Sequence, residues 1–250
     1  MNIILIVYMV EVGVVIVAGG SGQRMKSGLP KQFLPLYGEA TVLEVTLRRF
    51  MQALPGSEIV VVLPVSEIAR WEGICRSREL IGTHRICSGG ATRFDSVRNG
   101  IESLGECRLI VVHDGVRPLA SDDLIRRCVA AASVAGAAIP VVRPVDSFRE
   151  VDGDRNRIVD RERLRAVQTP QVFDAKLLRK AYGSDYRPEF TDDASVAEAA
   201  GAAITLCEGE RMNIKITTPE DMAVARLFMM KFAGDGVDDI CGGTFDARRL

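Results

Sequence analysis

Val14-Val15-Ile16-Val17-Ala18-Gly19-Gly20-Ser21-Gly22-Gln23-Arg24-Met25, followed by Pro30-Lys31-Gln32-Phe33-Leu34, is the stretch on which the fold turns. Its β-branched opening suits a strand buried on both faces. The glycines that end it let backbone N–H groups approach a phosphate with no Cβ in the way. Arg24 and Lys31 bring two positive charges to the same loop. Together they predict a polyphosphate cradle at the carboxyl end of a strand in a parallel α/β sheet.

Two better-known phosphate loops do not fit. A Walker A loop ends in Gly-Lys-Ser/Thr, and a dinucleotide fingerprint needs a third glycine where Met25 stands, with an acid about 20 residues on. Gly19 to Gly22 alone would read as an ordinary strand-to-helix turn; Arg24 and Lys31 reverse that preference.

Composition sets the outer bounds. A chain of 250 residues can bury a large core as one α/β domain or two small ones. With 47% hydrophobic and 26% charged residues, the composition points to an ordinary globule rather than a disordered chain. The net charge of −1 gives no global attraction to nucleic acid, so anion recognition must rest on local basic clusters. Cys75, Cys87, Cys107, Cys128, Cys207 and Cys241 show no CxxC spacing, and the histidines are His84 and His113. That pattern predicts reduced thiols in the cytoplasm rather than a zinc site or a disulfide framework. Residues 1–8 are apolar but lack a basic flank, and Glu11 and the glycine loop follow too soon for a membrane span. They are read as an appendage, with Met9 as a candidate natural start.

Apolar runs alternate with amphipathic segments, the pattern of a mostly parallel sheet with helices on both faces. Strands are expected near 12–17, 58–63, 85–87, 109–113 and 137–142, and helices near 42–54, 67–71, 93–103 and 122–134. Ser147-Phe148-Arg149-Glu150-Val151 and Arg157-Ile158-Val159-Asp160 flank a polar turn and predict a hairpin arm within 143–165. Such a hairpin is marginal alone, so a partner surface is expected to hold it. Helices near 175–182 and 192–200, a strand near 204–207 and a helix near 219–231 follow. Thr191-Asp192-Asp193 and Thr218-Pro219-Glu220-Asp221 read as helix starts. The chain is therefore expected to be a single domain over 9–233, with a frayed tail at 234–250.

Four further strings carry chemistry: Gly89-Gly90-Ala91-Thr92-Arg93-Phe94-Asp95-Ser96-Val97, Val112-His113-Asp114-Gly115-Val116-Arg117-Pro118, Gln168-Thr169-Pro170-Gln171 and Asn213-Ile214-Lys215-Ile216-Thr217. Asp114 ends an apolar run, where a carboxylate can reach a Mg²⁺ bridging nucleotide phosphates or, alternatively, cap the next turn. Lys215 flanks an apolar strand, a place common for a solvated lysine. With the opening loop, these strings resemble in order and spacing the 2-C-methyl-D-erythritol 4-phosphate cytidylyltransferase family, over about residues 12–232.

The resemblance implies a Rossmann-like nucleotidyltransferase fold with a protruding β-hairpin arm. It also implies direct attack by the 4-phosphate of methylerythritol on the α-phosphate of CTP, with pyrophosphate leaving and no enzyme nucleophile. Negative charge spread over phosphoryl oxygens calls for alignment and electrostatic stabilisation. Arg24 and Lys31 match the family's stabilisers at the triphosphate, and Lys215 the lysine that orients the attacking phosphate. Asp114 matches the carboxylate facing the nucleotide and Mg²⁺ or another divalent cation. Ala18, Gly19, Gly20, Gly22, Gly90 and Ser96 match the nucleotide side. Arg93 matches it too, with support of its own helix as the equal alternative. Arg117, Ser147 and Thr169 match contacts to methylerythritol phosphate, and Arg161 an arginine supplied by the neighbouring subunit of a homodimer. A planar guanidinium suits a phosphate monoester because it donates two hydrogen bonds.

Three positions depart from the pattern. Met212 stands where many relatives carry an Asp, Ser147 where threonine is frequent, and Gly115-Val116 where a small Ala-Ala pair is usual. Val116 is expected to reshape the substrate wall. Competing readings are a ribitol-5-phosphate cytidylyltransferase, a nucleotide-binding regulatory module without turnover, and an NAD-dependent oxidoreductase. Retention of Arg24, Lys31, Asp114 and Lys215 disfavours the second, and the missing fingerprint the third.

Overall fold

The apolar run at 14–17 does form a strand buried on both faces, in a computed structural model that describes residues 10–19 and 28–232. The readings for 1–8, for Gly20, Gly22 and Arg24, and for 234–250 lie outside the described residues. The first half runs β1 (Val10–Val17), β2 (Pro35–Tyr37), β3 (Ala40–Thr41), α1 (Val42–Ala53), β4 (Glu58–Leu63), α2 (Val65–Ser77) and β5 (Arg85–Ser88). Then come α3 (Arg93–Ser103), β6 (Cys107–Asp114), α4 (Asp122–Ala135), β7 (Ala137–Val142), β8 (Phe148–Asp152) and β9 (Arg155–Val159). The rest comprises β10 (Ala166–Val167), β11 (Gln171–Asp174), α5 (Ala175–Tyr182), α6 (Asp193–Ala199), β12 (Thr205–Glu208) and α7 (Pro219–Phe232).

β12 edges the central sheet, followed by β7, β11, β6, β1, β4 and β5. β1 pairs in parallel with β4 and β6, and β12 pairs in parallel with β7. Neighbouring strands direct alternate side chains to opposite faces. Val14, Ile16, Val61, Leu63 and Val111 pack with residues of α1, α2 and α4, while Val15, Val60, Val62, Ile110 and Val112 meet α3, α5 and α6. A helix lies this close at Gly100 because a Cβ there would come within 2.5 Å of Val15 Cγ1. A third cluster joins the β2–β3 ribbon to α7 through Leu36, Tyr37, Ile216, Met222 and Met229.

The helix bounds follow local chemistry. Thr92 and Asp95 form a reciprocal capping box at α3, Ser121 caps α4, and Gly136 ends α4 in the left-handed region at φ 84°. Helix α2 outruns the expected 67–71, reaching from Val65 to Ser77. β11 was not expected. It is four residues long, and it slots antiparallel between β6 and β7, bringing Gln168-Thr169-Pro170 to the carboxyl end of β6.

β8 and β9 form the expected hairpin, paired with each other and with no other described strand. It holds Phe148, Val151 and Ile158 out to solvent at 42%, 70% and 75% exposure, more apolar surface than a solvated flap needs. No helix among the described residues is long and apolar enough to cross a membrane.

The half-buried His84 ring makes stability depend on pH. The Trp71 indole N–H donates to His84 Nε2 at 2.8 Å, so that nitrogen carries no proton. The other, Nδ1, lies 3.0 Å from Thr83 Oγ1 and is the donor there, since the Thr83 hydroxyl is directed to the Leu80 carbonyl. Burial pushes the His84 pKa down to about 4. The unfolded chain then binds the extra proton between the ordinary value of about 6.5 and 4, so stability is full above that window and falls as pH drops through it. Between pH 7 and 5 the loss should be on the order of 1 kcal/mol, allowing for the ring's partial exposure. Urea unfolding across that range checks it: the slope should flatten in His84→Gln, and an unchanged slope would remove this histidine from the account.

Candidate active site

The chemistry-bearing strings converge on one edge of the sheet, at the carboxyl ends of β1, β5 and β6, where open α/β sheets bind ligands. Asp114, the last residue of β6, is buried and faces three cations. Lys215 Nζ stands 3.0 Å from its Oδ2, Arg117 Nε 3.4 Å from the same oxygen, and Arg93 Nη2 3.7 Å from Oδ1. Burial works to raise the Asp114 pKa, but Arg93, Lys215 and Arg117 outweigh it and hold the carboxyl well below the usual carboxylate range. Asp114 is therefore ionised at any working pH.

Hydrogen bonds beneath this cluster fix it. His113 Nε2 lies 3.1 Å from the Arg117 carbonyl, which only accepts, so Nε2 carries the proton. Nδ1 is then the acceptor for the Thr169 hydroxyl at 3.0 Å, and Thr169 Oγ1 in turn accepts from the Asp114 N–H at 3.1 Å. Burial pushes His113 down to about 4, so it stays neutral and packs under the site. Asn213 donates to the Thr169 carbonyl at 2.8 Å, and its own carbonyl accepts from Arg117 Nη1 at 2.8 Å. Gln168 joins the same loop by donating to the Glu210 carbonyl at 2.7 Å. Thr169 and Arg117 thus stand beside Asp114 with much of their bonding capacity already engaged inside the protein.

On the other side, the glycines close a tight turn. The Gly90 N–H donates to Ser96 Oγ at 3.1 Å, and a Cβ on Gly90 would fall 2.3 Å from Asp95 Cβ, so no other residue fits without movement. Ser96 is buried and donates to the Thr92 carbonyl at 2.9 Å. Gly19 is exposed beside it, its Cβ position 3.9 Å from Ser96 Oγ. Ala18 is bonded through both backbone groups, its N–H to the Val62 carbonyl and its C=O to Gln32 Nε2, each at 2.9 Å. Lys31 opens a 3-10 turn at Lys31–Phe33 and is half-buried. Ala18, Gly19, Gly90 and Ser96 are so brought together, as are Arg93, Asp114, Arg117, Thr169 and Lys215.

The arm residues stand apart from that cluster in their bonding. Ser147 is exposed just ahead of β8, while Arg161 donates to the Val145 carbonyl at 2.6 Å and lies 3.8 Å from a Glu162 oxygen. One expectation fails. Val116 is buried with Leu36 and Ile216 rather than lining a substrate wall, because the neighbouring Ile216 N–H bonds its carbonyl and pulls the residue into the third cluster. Gly115 is what that path requires, since a Cβ there would lie 2.9 Å from Ala18 Cβ. Asp193, read as part of a helix start, has a second identity: both its oxygens take Arg93, at 2.9 and 2.7 Å. Nothing in the sequence signals a pairing across 100 positions.

Among the described residues no group of three or more His, Cys, Asp or Glu is arranged to hold a metal. Asp114 offers a single ionised carboxylate. That suits a Mg²⁺ held chiefly by nucleotide phosphates and water, not a dedicated protein cage. Burial pushes the Cys75 thiol up to about 11 and Cys128 up to about 12, so neither of these two is poised as a nucleophile.

Comparison with known proteins decides the family. The model for 2-C-methyl-D-erythritol 4-phosphate cytidylyltransferase (IspD) matches residues 12–231. This chain belongs to that family. The Bacteroides fragilis cytidylyltransferase is 45% identical over 210 residues, covering 84% of this chain and 95% of the relative. The Porphyromonas gingivalis W83 enzyme is 45% identical over 215 residues, covering 86% and 96%. Among solved structures, the cytidylyltransferase from Thermus thermophilus superposes with a TM-score of 0.70 at 35% identity, covering 87% of this chain and 98% of that one. The 4-diphosphocytidyl-2C-methyl-D-erythritol synthase from Anaerococcus prevotii gives 0.74 at 29% identity, covering 88% and 96%. The cytidylyltransferase fold is thus shared along nearly the whole length of these relatives.

Proposed function

We propose that this CTP-dependent cytidylyltransferase transfers CMP from CTP to 2-C-methyl-D-erythritol 4-phosphate, giving 4-diphosphocytidyl-2-C-methyl-D-erythritol and pyrophosphate for isoprenoid synthesis. The observation that carries the mechanism is the buried Asp114 carboxylate ringed by Lys215, Arg117 and Arg93 at the end of β6. Such an array supplies what an in-line displacement at phosphorus needs, which is fixed charge and alignment. Lys215, 43% exposed on its side chain, reaches solvent and orients the attacking 4-phosphate. Arg24 and Lys31 neutralise the triphosphate and favour departure of pyrophosphate. Asp114 holds Mg²⁺ at the nucleotide, and when bound the metal neutralises phosphate charge. Gly19, Gly20, Gly22, Gly90 and Ser96, with backbone at Ala18, form the nucleotide slot.

Arg117, Ser147 and Thr169 serve the polyol phosphate. Arg161 reaches it across a homodimer through the arm, whose exposed Phe148, Val151 and Ile158 want a partner surface. A cytoplasmic location and the absence of nucleic-acid or membrane partners accord with a net charge of −1 and with cysteines lacking disulfide spacing.

Purified protein with CTP and Mg²⁺, offered each polyol phosphate in turn, tests the reading by pyrophosphate release. Methylerythritol 4-phosphate should be turned over at least ~100-fold more efficiently than ribitol 5-phosphate, because discrimination by hydrogen-bonded hydroxyls is large. Equal or reversed preference would reassign the substrate. CTP binding without turnover of either would make the chain a regulatory module.

A further inference from the structure

Asp193 is fully buried, yet it is not needed to start its helix. Asp192 already caps α6, accepting from the Ser195 N–H at 2.9 Å while Ser195 Oγ bonds back. Burying a second carboxylate at the next position is costly unless it is fully paired. Its pairing is complete: Oδ1 accepts from Arg93 Nη1 at 2.9 Å and from the Tyr182 hydroxyl at 2.6 Å, and Oδ2 accepts from Arg93 Nη2 at 2.7 Å. The two-point fork fixes the guanidinium in orientation as well as in place. Tyr182 is itself buried and stacked on Phe94, with ring centroids 4.8 Å apart, so the acceptor does not drift.

The consequence lies at one nitrogen of the fork. The same Nη2 that bonds Asp193 at 2.7 Å stands 3.7 Å from Asp114 Oδ1, close enough to be felt and too far for a hydrogen bond. Arg93 is thus shared unequally between two carboxylates. We propose that Asp193 is a positioning residue for the nucleotide half of the site: it restrains Arg93 from closing on Asp114, so that Oδ1 of Asp114 stays available to the metal–nucleotide complex. Without the Asp193 charge, Arg93 shifts by about an ångström and hydrogen-bonds Asp114, whose Oδ2 Lys215 and Arg117 already occupy. All of Asp114 is then engaged by the protein's own cations.

The inference rests on the role of Asp114 proposed above, and Asp193→Asn tests it, because that change keeps the shape and an acceptor for Tyr182 and removes the charge. CTP binding is measured by calorimetry without the polyol phosphate, across a Mg²⁺ titration, alongside steady-state kinetics. The Mg²⁺ midpoint for CTP binding should rise at least threefold and KM for CTP more than KM for the polyol phosphate. Tyr182→Phe, which leaves the fork intact but loosens its acceptor, should shift the midpoint the same way by less, and it serves if Asp193→Asn does not fold. A lowered melting temperature with an unmoved Mg²⁺ midpoint overturns the proposal. Wild-type CTP binding indifferent to Mg²⁺ would instead contradict the role given to Asp114.

Discussion

Asp114→Asn should fold and lose about 10²–10³ in kcat/KM, the usual consequence of removing one pre-oriented charge from a charge-stabilising site. The fold should survive because each cation that Asp114 meets has another place to go. Arg117 keeps the Asn213 carbonyl, Arg93 keeps Asp193, and Lys215 is nearly half exposed. Activity should not survive, since the amide cannot balance three positive charges or serve a divalent cation as a carboxylate does. Circular dichroism and a Mg²⁺ titration of turnover, run on both proteins, separate the two effects. A variant with wild-type metal dependence would assign Asp114 a purely structural role.

The second large effect is a gain. Lys31→Ala and Arg161→Ala should each be nearly inactive alone, and mixing them should restore turnover if the arm of one subunit completes the site of the other. Free subunit exchange makes half the dimers mixed, and each mixed dimer has one intact site in two, so about a quarter of wild-type activity should return. Differently tagged subunits and a pull-down establish that exchange has occurred. Exchange with no recovery would mean that Arg161 serves its own chain's site, or none.

What was legible in the sequence follows from the range of the forces concerned. Strands at Glu58–Leu63 and Ala137–Val142 and helices at Arg93–Ser103 and Ala175–Tyr182 have the bounds that apolar runs and caps dictate, because those signals are local. β11 escaped because its four residues include two apolar ones and its place is set by the gap between β6 and β7, not by its own pattern. The two-residue β3 likewise leaves no periodicity to read. In the site, motif order brought Asp114 and Lys215 into view, and the structure sets them 3.0 Å apart. Asp193 was hidden by its neighbour. Asp192 makes a convincing helix start, and nothing local distinguishes the acid that caps from the acid that reaches Arg93. Val116 was misjudged for a related reason: the third cluster that buries it is assembled from the β2–β3 ribbon and α7, far apart in the chain.

The claim that this chain aligns two phosphates for one direct displacement is tested most directly by the stereochemistry at phosphorus. CTP with one non-bridging α-phosphate oxygen replaced by sulfur, in a single configuration at that phosphorus, is turned over with methylerythritol 4-phosphate, and the configuration of the diphosphocytidyl product is read by ³¹P NMR. One in-line displacement inverts the centre, and inversion is the result predicted here. Retention would require two displacements through a cytidylylated side chain and would contradict the account.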